Sequence, residues 1–184
     1  MKLTELFKMQ QELDERIVRD KGLQDQNLLP NKILSLQVEL AELANEWQMF
    51  KFWKKNPQPR TKALRNPGMM MPEDQEWYNP LLEEYVDCLH FLLSIGLELS
   101  HDVTKYHYYA ESPYENTISL LSSLISEAYT MRHPDSEHLT ELAYVKFFCK
   151  FIDLGRRLGF SWRDVEEAYR LKNQINHHRQ ERGY

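Results

Sequence analysis

The chain has 184 residues, a length that suits one domain or one subunit of an interlocked dimer. An apolar share of 42% supports a real core, and only 6 glycines amid abundant Leu, Glu, Gln and Lys favour helices over sheet. A net charge of -5 excludes a general nucleic-acid-binding surface, so a polyanionic ligand would need metal ions or a local basic patch.

The start, Met1 to Leu6, has no apolar signal core, and no later apolar run reaches membrane-spanning length. The expectation is a cytoplasmic protein. Cys88 and Cys149 sit in helical, apolar patterns without metal-site spacing and read as buried free thiols.

Helical periodicity runs through the whole chain, and no internal repeat interrupts it. A first helix is predicted from about Thr4 to Arg19, with Leu3, Leu6, Leu13 and Ile17 on one side. Gly22 to Pro30 reads as a loop, and Pro30 can open the next helix. From Asn31 the stripe Ile33, Leu36, Leu40, Leu43, Trp47 and Phe50 steps by threes and fours, the mark of a helix burying one face. The segment 57–79 holds Pro57, Pro59, Pro67, Gly68 and Pro72 and reads as a long loop or lid. Pro80 to Ser100 is apolar nearly all round, as a central helix covered on most sides would be. Three more helices are predicted over Pro113 to Arg132, Ser136 to Leu158 and Ser161 to Arg182, with Ser136 and Ser161 as N-caps and Gly159 at a C-terminus. The expected architecture is an all-α, helical bundle of about six helices in a single domain, 1–184.

The chemistry concentrates in two acidic pairs. Glu39 and Glu42 are three apart on one helix face, and Glu46 extends them by a turn. Their stripe borders Leu36, Leu40 and Leu43, at the edge of the core. Glu84 and Asp87 repeat the spacing in a strongly apolar helix, with Cys88, Phe91 and Ile95 nearby. One such pair alone is a common solvated helix face. Carboxylates lying against a core need a positive partner, because an unpaired buried charge costs several kcal/mol. Oxygen-only donors suit a hard cation, Mg²⁺ or Mn²⁺, which keeps water ligands and binds phosphates.

The sequence L-x-x-E-L-A-E-L followed by E-E-Y-V-D resembles the E-x-x-E…E-x-x-D pattern of the all-α NTP pyrophosphatase superfamily, which includes MazG-like, dCTPase-like and dimeric dUTPase enzymes. The resemblance implies Glu39, Glu42, Glu84 and Asp87 as Mg²⁺ ligands, with Glu39 or Glu42 orienting or deprotonating the attacking water. The spacer between the pairs is longer here than in small MazG-like proteins.

Four further segments resemble the dimeric dUTPases. Leu6 to Asp14 is similar to L-Q-x-x-L-N and implies reading of the uracil by Gln10 and Asp14, one turn apart; the family usually has Asn where Asp14 stands. Phe50-Lys51-Phe52-Trp53-Lys54 is similar to W-K-x-W-K and implies base stacking by Trp53 and phosphate steering by Lys51 and Lys54, while Phe50 reads as core. His90 and Phe91 occupy the position that lies against uracil in the family. Tyr169 to Tyr184 is similar to Y-x-x-K-N-x-x-N-x-x-R-Q-x-x-G-Y and implies a phosphate grip by Lys172, Asn176 and Arg179, which share one helix face. No apolar stripe continues past Ile175, so this end is expected to be mobile without ligand.

The resemblance covers most of the chain. It implies a homodimer with sites near the subunit interface, acting on a small-molecule nucleotide: dUTP and water give dUMP and pyrophosphate with two or three Mg²⁺ ions. No Ser-His-Asp or Cys-His set competes as a nucleophile. Two other readings stay open: a related pyrophosphatase acting on dCTP or a modified nucleotide, and a non-catalytic helical interaction protein.

Overall fold

The computed structural model describes residues 3–66, 68, 71, 75–102, 105, 107–131 and 136–183. Pro67, Pro72, Arg132 and Tyr184, which enter the expectations above, lie outside these residues.

Six helices carry the fold: α1 (Leu3–Lys21), α2 (Leu29–Trp47), α3 (Pro80–Glu98), α4 (Thr117–Thr130), α5 (Glu137–Arg157) and α6 (Trp162–Glu181). The protein is an all-α bundle. Helix starts follow side-chain chemistry. Asn79, Asn116, Ser136 and Ser161 each accept a hydrogen bond from a backbone N–H of the first turn, and Ser161 with Asp164 forms a capping box. Pro30 and Pro80 occupy first-turn positions, where the missing N–H costs nothing.

Helix α3 is central and packs against α1, α2, α5 and α6, while α4 lies against α2 and α5. Leu36, Leu40 and Leu43 of α2 and Leu89, Leu92 and Leu93 of α3 are fully buried in one cluster to which all six helices contribute. Two glycines let aromatic side chains cross between helices. Tyr144 of α5 passes Gly96 and donates to the carbonyl of Leu92 at 2.9 Å; a Cβ at Gly96 would lie 2.8 Å from the Tyr144 Cζ. Tyr85 of α3 passes Gly155, donates to the carbonyl of Phe151 at 3.0 Å and stacks on that ring. Cys88 and Cys149 are buried free thiols. No described helix is long and apolar enough to cross a membrane.

Two details differ from the sequence reading. Phe50 falls outside α2, because Gln48 caps that helix in the left-handed region at φ 62°, and the chain leaves in turns. The Phe50 ring instead meets Trp53 edge-on at 5.9 Å. The 57–79 segment is not all loop: Ala63–Leu64 (β1) and Trp77–Tyr78 (β2) pair antiparallel as a short hairpin. Helix α6 runs to Glu181 with Arg182 as its C-cap, as expected, and Arg16 of α1 reaches its last turns at His177 and Glu181.

Helices α2 and α3 run antiparallel. Lys32 near the start of α2 bonds Glu98 at the end of α3 at 2.8 Å. At the other end, Arg60 bonds Glu46 of α2 through both backbone and side chain, and its carbonyl accepts from Leu81 of α3. This pairing sets the middle of α2 beside the first half of α3.

Candidate active site

The antiparallel pairing brings the two acidic spacings together. Carboxylate oxygens of Glu39, Glu42 and Glu84 lie within 4.8 Å of one another. Glu39 and Glu84 are half-buried and Glu42 is exposed. Burial, then the nearby Asp87, pushes the Glu39 carboxyl up to about 7. Burial, then Asp87 and Glu39, does the same to Glu84, also to about 7. Like charges this close disfavour simultaneous ionisation, so Glu39 and Glu84 are hard to ionise together unless a cation enters. An all-oxygen donor set of converging, mutually repelling carboxylates fits a hard divalent cation.

Asp87 stands beside this group with a different partner. Lys172 of α6 donates to its Oδ2 at 2.6 Å and to Glu83 Oε1 at 2.8 Å. Burial raises the Asp87 carboxyl above its ordinary value, and Lys172 offsets only part of that. For Lys172 the burial penalty is outweighed by Asp87 and Glu83, so its ammonium is held above its ordinary value. The expected phosphate-gripping lysine is thus buried at the edge of the acidic site and already engaged by two acids. Asn176 and Arg179 follow on the same helix. The Arg179 guanidinium donates to Asn176 Oδ1 at 3.3 Å and contributes to the field at Asp87.

Gln10, Asp14 and His90 form a second constellation on α1 and α3. Gln10 Nε2 donates to Asp14 Oδ1 at 2.7 Å, Ser94 donates to Asp14 Oδ2 at 2.5 Å, and Lys32 Nζ lies 3.6 Å from the same carboxylate. With three donors converging on it, Asp14 acts as an acceptor and fixes the Gln10 amide with its nitrogen outward. Gln10 Oε1 therefore faces the Tyr169 hydroxyl and His90 Nδ1, both at 2.8 Å. Burial, then Lys172, pushes the His90 imidazole down to about 3, so the ring is neutral near pH 7. Nδ1 must carry its single proton to satisfy Gln10, which leaves Nε2 as a lone pair. That nitrogen is buried and has no hydrogen-bond partner among the described residues. His90 also stacks on Tyr169 at 4.2 Å. Phe91 is half-buried against the core.

The segment after α2 stands apart. Trp53 is exposed, Lys51 donates to the carbonyl of Asn45, and Lys54 donates to Gln48 Oε1. Among the described residues, no hydrogen bond, ion pair or ring contact joins Lys51, Trp53 or Lys54 to the acids or to His90.

Sequence reasoning missed four neighbours. Tyr169 opens the C-terminal motif but carried no assigned role. Ser94 is the polar residue one turn after His90 in an apolar helix, a signal that could have found it. Glu83 precedes Glu84, and nothing in its spacing marks it. Arg65 bonds Glu83 Oε2 at 2.9 Å from the hairpin and had no sequence signal at all. Between the hairpin and α6 runs a cleft of about 220 Å³ lined by Arg65, Trp77, Tyr78, Glu83, Lys172 and Ile175 among others.

A family model described as dUTPase matches residues 2–66 and 72–184, nearly the whole chain. The five internal residues it passes over, 67–71, lie in the Pro-rich excursion, where the spacer is long. Among curated proteins, none matches the chain significantly.

Proposed function

The chain belongs to the dUTPase family, and from that footing we propose that it hydrolyses dUTP to dUMP and pyrophosphate with Mg²⁺, or Mn²⁺ in its place. The observation that carries this reading is the convergence of Glu39, Glu42 and Glu84, with Asp87 alongside in the grip of Lys172. Divalent cations held by these four acids would neutralise the triphosphate and acidify the attacking water.

Glu39 or Glu42 takes the proton from that water and orients it toward the phosphorus. Lys172 carries three N–H donors, two of them committed to Glu83 and Asp87, so one remains for a phosphate oxygen. Asn176 and Arg179 extend the same face along the triphosphate, and Lys51 and Lys54 supply further positive charge. Trp53 and Phe91 supply aromatic surface to the base.

His90 reads the base. Its buried Nε2 lone pair needs a donor, which uracil offers at its N3–H and cytosine lacks at the same position. Gln10, Asp14, Ser94 and Tyr169 hold the ring in that state. A second copy of the chain covers exposed apolar side chains of α2 such as Leu34 and Val38, giving a homodimer that works in the cytoplasm.

The deciding experiment is pyrophosphate release from each dNTP with Mg²⁺ present. Release from dUTP in preference to dCTP and dTTP is expected. No release from dUTP with either Mg²⁺ or Mn²⁺ would overturn the reading, and equal rates for dUTP and dCTP would overturn the base assignment alone.

A further inference from the structure

Helix α3 carries an acid that the metal reading leaves unused. Glu83 adjoins Glu84 in sequence, yet the group of converging oxygens contains Glu84 and not Glu83. Its partners are cations. Oε1 accepts from Lys172 at 2.8 Å, and Oε2 accepts from Arg65 at 2.9 Å. Glu83 and Asp87 are one turn apart and flank the same ammonium, so charges alternate along Arg65, Glu83, Lys172 and Asp87. Arg65 is itself fixed: its guanidinium lies 4.3 Å over the Tyr78 ring and bonds Glu76 at 3.0 Å, and its backbone N–H donates to the Glu76 carbonyl. The hairpin therefore presents one oriented guanidinium to α3.

Lys172 and a divalent cation compete for Asp87. The ammonium occupies Oδ2 at 2.6 Å, and no hydrogen bond among the described residues takes Oδ1. A lysine with Asp87 as its one charged partner would hold that carboxylate tightly and keep it from a cation. A lysine shared between two acids can lean to the other when a cation arrives, and stay within reach of a phosphate.

We propose that Glu83 is a positioning residue that divides Lys172 with Asp87, releasing Asp87 to the cation, and that Arg65 sets the strength of its hold. The inference rests on the metal and phosphate roles proposed above for Asp87 and Lys172. Removing the Glu83 charge leaves Lys172 on Asp87 and weakens cation binding. Removing Arg65 frees the Glu83 charge, draws Lys172 away from Asp87, and withdraws the ammonium from the phosphates.

The test uses the full chain without nucleotide, titrated calorimetrically with Mn²⁺ alone, and then dUTP kinetics at saturating Mg²⁺. For Glu83→Gln, Mn²⁺ affinity should fall roughly tenfold, the size of one charge-assisted hydrogen bond redirected. Arg65→Ala should keep or tighten Mn²⁺ affinity while raising KM for dUTP about fivefold, with a smaller change in kcat. Glu83→Asp and Arg65→Lys should recover part of each loss. The double variant Glu83→Gln/Arg65→Gln restores the net charge, so it separates positioning from bulk electrostatics. It should bind Mn²⁺ as weakly as Glu83→Gln, because Lys172 still lacks its second acid. Wild-type Mn²⁺ affinity in the double variant, or in Glu83→Gln, would overturn the proposal. So would an equal loss in Glu83→Gln and Arg65→Ala that tracks a lower Tm. If Glu83→Gln does not fold, the Glu83→Asp and Arg65→Ala titrations decide, since weaker Mn²⁺ binding in the first beside unchanged or tighter binding in the second is still required. Absence of dUTP turnover in the wild type would instead count against the dUTPase reading and leave the Mn²⁺ titrations standing.

Discussion

Gln10 Oε1 lies 2.8 Å from His90 Nδ1 and turns the other imidazole nitrogen into an acceptor that has no partner among the described residues. Asp14 matters here because it holds the amide nitrogen of Gln10 and so keeps the oxygen on His90. Removing His90 as His90→Phe should lower kcat/KM for dUTP by roughly ten- to a hundredfold, the range of one buried hydrogen bond lost in the transition state. The loss for dCTP should be much smaller. A dUTP analogue methylated at N3 should be a poor substrate for the wild type and no worse for the variant. Equal losses for dUTP and dCTP would show that His90 does not read the base.

Charge removal at the acidic group separates function from folding. Glu39→Gln, Glu42→Gln, Glu84→Gln and Asp87→Asn should each reduce turnover at least about a hundredfold, as expected where several kcal/mol of charge stabilisation are lost. Glu39→Gln and Glu84→Gln relieve repulsion among half-buried acids, so the cation-free Tm should hold or rise. Circular dichroism and calorimetry in a chelator read the second outcome. Wild-type turnover in Asp87→Asn would remove Asp87 from the site.

The same repulsion predicts a pH dependence with a definite sign. Glu39 and Glu84 rise from an ordinary 4.5 to about 7 in the fold. A raised carboxyl stabilises the folded state below its unfolded value and loses that contribution as pH climbs through the folded one. Between about pH 5 and about pH 8 this contribution to the cation-free Tm should therefore decline, while Mg²⁺ affinity grows as the protons leave. Melting curves with and without Mg²⁺ across that range should diverge upward with pH. A constant gap would contradict the coupling.

Lys172 and Arg179 should fail differently. Arg179 is exposed, so Arg179→Ala should cost about tenfold in kcat/KM and leave Tm nearly unchanged. Lys172 is buried against Glu83 and Asp87, so Lys172→Ala leaves Glu83 to Arg65 alone, strands Asp87 and should lower both activity and Tm. Matching thermal stability in the two variants would mean the Lys172 pairs contribute nothing to the fold.

Gly155 gives a test of the packing alone. A Cβ there would sit 2.6 Å from the Tyr85 Cζ, on a ring already stacked on Phe151. Gly155→Ala should destabilise by about 1–3 kcal/mol, the usual cost of overfilling a core, readable by urea unfolding.

Much was legible in the sequence because it depends on neighbours along a helix. Spacings of three and four place side chains on one face whatever the tertiary context, so six helices, a central α3 and the pairs Glu39/Glu42 and Glu84/Asp87 could be read directly. Caps at Ser136 and Ser161 are equally local. The exit of Phe50 from its stripe was not legible, since a left-handed Gln48 carries no strong sequence signal. Nor was the hairpin, whose two-residue strands are too short for alternation to show. What only the tertiary structure decided is who faces whom. Lys172 lies 85 residues from Asp87, Tyr169 lies 159 from Gln10, and Arg65 reaches Glu83 from another element. Periodicity fixes the direction of a side chain about its own axis, but the approach of a second helix depends on the packing of the whole core. Partners such as these, and the protonation states they impose, arise only once that core has closed.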